Sequence, residues 1–166
     1  MRSAWFAAVA LAACAPPGAG DPRSESVNEA DPLARPARVL DTAAVLAPAE
    51  EAEFAARLAG LERRTGHPMV IVTIASTGGR DIADLTRDLG NRWGIGRPGI
   101  DDGIVLLLAM EDRRLRIAIG DGLRAKLPDE AAAAIIRDRM VPRLSRGDAA
   151  GAVRAALDEI DLLLSR

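Results

Sequence analysis

The sequence predicts an α/β fold, a small mixed β-sheet flanked by helices on both faces, that is, an α/β/α sandwich. Three observations point to it. Met69–Ala75 is rich in β-branched residues, and Ile104–Met110 is an unbroken apolar run; each is short enough for a buried strand and too short for a free-standing helix. Leu115–Ile119 alternates, with Leu115, Ile117 and Ile119 on one face and Arg116 on the other. Around these runs, helical spacings alternate with strands, then an antiparallel pair appears, then helices alone, an order that suits one sheet covered on both sides.

The chain of 166 residues suits one domain behind a leader. Met1–Cys14, MRSAWFAAVALAAC, sets one basic residue before an uninterrupted apolar run, an export-signal pattern too short to span a bilayer. Leu11-Ala12-Ala13-Cys14 resembles the lipobox of bacterial lipoproteins, in which the cysteine is acylated and becomes the new N-terminus. The alternative is an ordinary cleaved signal with an incidental cysteine. The lipobox is preferred because the only cysteine falls at the one position where it has this use. Acyl chains at Cys14, each buried methylene contributing ~0.8 kcal/mol, would anchor the chain to a membrane. No Asp follows the cysteine, so resemblance to such lipoproteins implies an outer-membrane lipoprotein of the bacterial cell envelope, facing the periplasm. Ala15–Ala37 is rich in Pro, Gly, Ser and charge without apolar periodicity, and reads as a disordered tether.

The folded domain is expected over 38–166. Val39-Leu40-Asp41 is a short extended or turn segment. Pro48 suits the first position of a helix that carries Phe54, Leu58 and Leu61 on one face and stops at Gly66. Ser76–Arg80 is a glycine-rich turn, and Asp81 caps a second helix with Ile82, Leu85, Leu89 and Trp93 on its apolar face. Leu123–Leu127 is a short helical turn. Pro128 and Asp129-Glu130 open a third helix that buries Ile135, Ile136 and Met140 and stops before Pro142. Asp148 caps a last helix with Val153, Leu157, Ile160 and Leu164 on one side.

Ile104–Met110 and Leu115–Ile119 are joined by the polar Glu111-Asp112-Arg113, as in an antiparallel hairpin. The segments entering and leaving such a pair lie at the same end. Asp101 and Asp102 stand in the first and Asp121 in the second, so three carboxylates gather among glycines at the open end. Asp112 belongs to the closed end. Two carboxylates ~5 Å apart repel by about 3 kcal/mol at an effective dielectric of 20, which a hard cation between them would relieve. Oxygen-only ligands suit calcium first and magnesium second. Turn aspartates pointing into solvent are the plain alternative, which the glycine neighbours also favour.

Composition excludes several classes. Aromatic residues are 2% of the chain, so base stacking has almost nothing to work with, and a net charge of −2 gives no footprint for nucleic acid. A single cysteine forbids an intrachain disulfide, and one histidine leaves most zinc sites without ligands. Gly94-Ile95-Gly96-Arg97-Pro98-Gly99 matches the letters of a dinucleotide fingerprint, but it follows a helix and leads into a strand, so no nucleotide is expected. It reads instead as a helix-ending loop that needs positive φ. His67 has no partner nearby in sequence and reads as a loop residue, and Trp93 reads as core. Among Arg113, Arg114 and Arg116, Arg116 alone has a rigid strand beneath it and is the candidate phosphate contact.

Val39–Leu46 (VLDTAAVL), Leu61–Gly66 (LERRTG), Trp93–Gly96 (WGIG), Asp101–Leu108 (DDGIVLLL), Arg113–Ile117, Gly120–Leu123 (GDGL), and Pro142 with Gly147-Asp148 occur in that order. Together they resemble the TPM domain family over roughly Arg38 to Leu164. The resemblance implies a small α/β/α sandwich, exported or facing a membrane lumen. It also implies links to acid phosphatase activity, to calcium binding, and to repair or assembly of membrane complexes. Carried over, the cation ligands would be Asp41, Asp101 and Asp102, with Asp121 added by the hairpin geometry. Two departures stand out. The family's usual Asp-Asn-Gly is Asp101-Asp102-Gly103 here, and its frequent Gly-Leu-Glu is Gly122-Leu123-Arg124. If that Glu helps hold a cation, the site is weakened unless Asp102 compensates.

Two functions follow. The first is a lipid-anchored, non-catalytic module that binds a divalent cation and contacts a membrane-protein partner. The second is a cation-dependent phosphatase acting on phosphate monoesters, with the metal polarising a phosphoryl oxygen and Arg116 stabilising charge. No catalytic nucleophile is identifiable, so the module is preferred.

Overall fold

The computed structural model describes residues 38–165. Cys14, the leader and the tether lie outside the described residues. A four-stranded sheet runs in the order β1 (Val39–Asp41), β2 (Met69–Ile74), β3 (Ile104–Ala109) and β4 (Arg114–Ile119). β1, β2 and β3 are parallel, and β4 closes the sheet antiparallel to β3. Both central strands are buried along their whole length, because both faces are covered, and this is why they read as apolar runs without alternation. Edge strand β4 keeps its alternation.

Successive residues of β2 and β3 feed two separate cores. Met69, Ile71, Ile104, Leu106 and Leu108 pack with α1 (Pro48–Thr65) and α5 (Ala149–Leu164), through Phe54, Leu58, Val153, Leu157 and Ile160 among others. Val70, Val72, Val105 and Leu107 pack under α2 (Ile82–Trp93) through Leu85, Leu89 and Trp93. Asp81 caps α2 by accepting from the N–H groups of Ala83 and Asp84 at 2.8 and 3.1 Å, and Asp148 caps α5 through Gly151 N–H at 2.7 Å. Arg57–Asp158, Arg64–Asp161 and Arg154–Glu53 bridge the exposed edges of α1 and α5.

The β1–α1–β2 and β2–α2–β3 crossovers step the same way across the sheet, yet α1 and α2 lie on opposite faces. Two such crossovers must have opposite hands, so one is left-handed, against the strong right-handed preference of parallel connections. Strand order also never reverses, so the sheet lacks the switch-point crevice where open α/β sheets usually bind ligands.

The third helix departs from expectation. It does not stop before Pro142. α3 (Asp129–Ala134) widens into a π-helical stretch over Ile135–Met140, and α4 (Val141–Leu144) resumes with Pro142 in its first turn. Val141 N–H reaches back five residues to the Ile136 carbonyl. The missing Pro142 N–H is harmless in a first turn, and so the chain carries on through the proline. Ile136 is only half-buried, unlike Ile135 and Met140. Among the described residues no helix is long and apolar enough to cross a membrane.

Candidate functional site at the open end of the hairpin

The segment entering β3 and the segment leaving β4 are stitched together by backbone. Gly120 N–H donates to the Gly103 carbonyl at 2.9 Å, and Gly122 N–H to the Asp101 carbonyl at 3.1 Å. A Cβ on Gly120 would run into the Asp101 carbonyl, and one on Gly103 into the carbonyl of Ile95. Glycine is required at both by this close approach. Gly94, Gly96 and Gly99 all have positive φ, as a helix-ending loop demands. Asp101 itself sits at φ 53°, in the left-handed region that aspartate tolerates better than most side chains.

The three open-end aspartates have different fates. Asp102 is 0% exposed. Its Oδ1 accepts from Arg97 N–H at 2.8 Å; its Oδ2 accepts from Arg97 Nε at 2.7 Å and lies 2.5 Å from Arg97 Nη2. His67 Nδ1 is 2.9 Å from the same Oδ2. Burial alone would push the Asp102 carboxyl up. The Arg97 side chain, the Arg97 backbone N–H and His67 together outweigh it and hold the group down at about 2. An ionised carboxylate only accepts, so His67 Nδ1 carries the hydrogen. Asp102 is a buried anion already enclosed by donors of its own chain.

Asp121 is exposed and pairs with Arg124 Nε at 2.7 Å, while Arg124 Nη1 reaches Asp129 at 2.8 Å. Asp101 is exposed and its carboxylate makes no hydrogen bond or ion pair among the described residues. Asp41 lies at the other end of the sheet. It stands beside Thr73, which stands beside Leu108, four residues along β3 from Ile104, or roughly 13 Å at strand rise. There it accepts from the N–H groups of Val45 and Leu46 at 3.2 and 2.8 Å and from the Thr73 hydroxyl, tying down the turn after β1. Arg116 sits mid-strand opposite Leu107, facing the α2 side, with a buried Nε that has no hydrogen-bond partner. It is three residues, roughly 10 Å, from Ile119 and does not share a site with the carboxylates.

The expected set of Asp41, Asp101, Asp102 and Asp121 is therefore not one cage. No group of three or more His, Cys, Asp or Glu side chains placed to hold a metal exists among the described residues. Asp102 Oδ2 could ligate a divalent ion only by giving up Arg97 and His67, while Oδ1, which accepts from the Arg97 N–H, belongs to a side chain buried from solvent. Arg124, in place of the family's Glu, brings a positive charge to Asp121. The residues present do not fit the cation that the resemblance implied, because the chain's own arginines stand where its charge would be needed.

His67 and Arg97 are the two members that sequence reasoning missed. The signal was in the register. Met69 lies beside Ile104, so the residues two positions before each strand, His67 and Asp102, are neighbours. The Asp–His contact is the orienting half of a nucleophilic array, but no hydroxyl or thiol is hydrogen-bonded to His67 Nε2 among the described residues.

A family model described as the TPM domain matches residues 39–162. The chain is similar to the N-terminal domain of a protein from P. gingivalis, solved by NMR: 29% identity, TM-score 0.72, covering 78% of this chain and 82% of that one. It is similar in fold to the N-terminal domain of the cg2496 protein from Corynebacterium glutamicum, at 18% identity and TM-score 0.60, covering 75% of this chain and 78% of that one. The BA42 protein from the psychrophilic bacterium Bizionia argentinensis shares the fold at 16% identity and TM-score 0.62, covering 72% of this chain and 81% of that one. No curated protein matches the chain.

Proposed function

Because this chain belongs to the TPM domain family, we propose that it is a non-catalytic, cation-independent interaction module of the bacterial cell envelope. It is held to the outer membrane through acylated Cys14 and presents the open end of its β3–β4 hairpin to a membrane-protein partner. The observation that carries this reading is the closed charge balance of Asp102, Arg97 and His67. A buried anion matched by its own chain stiffens a loop without a metal, and among the described residues no hydroxyl or thiol is hydrogen-bonded to His67 to serve as an activated nucleophile. What the stiffened loop exposes is Ile100, 46% accessible, next to the unpaired carboxylate of Asp101. An apolar side chain on a rigid, acidic rim suits recognition better than chemistry. The envelope location rests on the Leu11–Cys14 pattern.

Three experiments test the proposal. The purified full chain should show no phosphate-monoester turnover above background, with or without calcium or magnesium. Turnover that disappears in an Asp101→Asn variant would establish the phosphatase instead. In cells, a membrane protein should co-purify with the chain in mild detergent and be lost on Ile100→Asp. Labelled fatty acid should enter the wild-type chain and not Cys14→Ser, and label in neither would remove the anchor from the account.

A further inference from the structure

At the closed end of the hairpin, away from the site above, a groove of about 370 Å³ opens between the β3–β4 turn and α4. Met110, Leu115, Val141 and Leu144 give it apolar walls, and Arg113 and Ser145 stand at its polar edge. We propose that this groove binds a single-chain anionic amphiphile, with the acyl chain along the apolar walls and the carboxylate at Arg113.

Three features favour this ligand. The first is the phase of the helix. The π-helical stretch at Ile135–Met140 adds a residue to its turn and rotates everything after it by about one helical position, ~100°. That rotation leaves Val141 47% exposed in a chain with few large exposed hydrophobic residues among those described. Met110, Leu115 and Leu144 beside it are only half-covered. The second is charge. Arg113, held at φ 52° in the turn, and Arg146, next after Ser145, form no side-chain hydrogen bond or ion pair among the described residues, whereas most of the described arginines are paired. An apolar trough with the unpaired Arg113 at its edge complements a molecule that is apolar along its length and anionic at one end. The third is size. The volume lies at the small end of the range for small-molecule sites, while a stable protein partner needs about 800 Å² of surface on each side. A single chain fits a space of that volume.

The test is photo-crosslinking of the full-length chain with a diazirine-bearing fatty acid below its micelle concentration, followed by peptide mapping. Label should fall in segments 109–115 and 141–145 and be competed by dodecanoate. Dodecanol, with the same tail and no charge, should compete about tenfold less well. Val141→Asp, at an exposed position that the fold does not need, should abolish label in both segments, and Arg113→Glu should erase the preference for the acid over the alcohol. Label confined to residues 1–37, label unchanged in Val141→Asp, or better competition by an apolar peptide than by dodecanoate would each overturn the proposal. None of these outcomes depends on the open-end module being correct.

Discussion

Asp102 carries its charge at a carboxyl pKa of about 2 in the folded chain, against about 3.9 for an unperturbed aspartate. As pH falls the unfolded chain takes the proton first. The stabilisation from this group, about 2–3 kcal/mol, is therefore complete above about pH 4 and is lost as pH falls through about 2. Urea unfolding across that window should show the loss, and Asp102→Asn should flatten it. At neutral pH the same substitution should cost about 2–4 kcal/mol, because Arg97 and His67 lose a buried anion. A double-mutant cycle with Arg97→Ala should return a coupling of about 1–3 kcal/mol, whereas zero coupling would mean that the contact is idle. Where the family's Glu stands, this chain has Arg124. Arg124→Glu combined with Asp102→Asn should create a calcium response absent from the parent chain, read as a melting temperature that rises by a few degrees with calcium. His67 illustrates what the sequence hides. Its partner is 35 residues away in sequence and becomes visible only when two parallel strands are set in register.

The hairpin was legible as an element: an apolar run, a polar turn and an alternating run leave few other options. Its open end depends on glycines whose need comes from tertiary approach. Gly120→Ala should cost about 1–3 kcal/mol or more, since the new methyl meets the Asp101 carbonyl. Hydrogen exchange should quicken at Gly120 and Gly122, and unchanged protection there would contradict the packing described. Pro142 misled in the opposite direction. A proline normally ends a helix, but the π-helical stretch before it sets it into the first turn of α4. Nothing in the apolar spacing of 129–144 marks that wide turn, because one extra residue leaves Ile135 and Met140 both able to reach the core.

Across the whole molecule, the layer order, the two cores and most helix caps follow from apolar periodicity and capping residues, and all of these were readable. The hand of a crossover was not, because period and spacing say nothing about which face a connecting helix will choose. Only the family resemblance joins Asp41 to the open-end carboxylates. That end of β1 is set by parallel pairing, which places Asp41 beside Thr73 and far from Asp102. Asp41→Ala and Asp102→Asn should therefore destabilise additively, within about 0.5 kcal/mol, in urea unfolding; two ligands of one ion would not. In the proposed reading the chain's own cations, not a bound one, hold the loop between α2 and β3. Thermal melting of the full-length chain in millimolar calcium against a chelator tests it most directly. The two curves should superimpose, and a melting temperature several degrees higher in calcium would mean that a bound ion holds the loop.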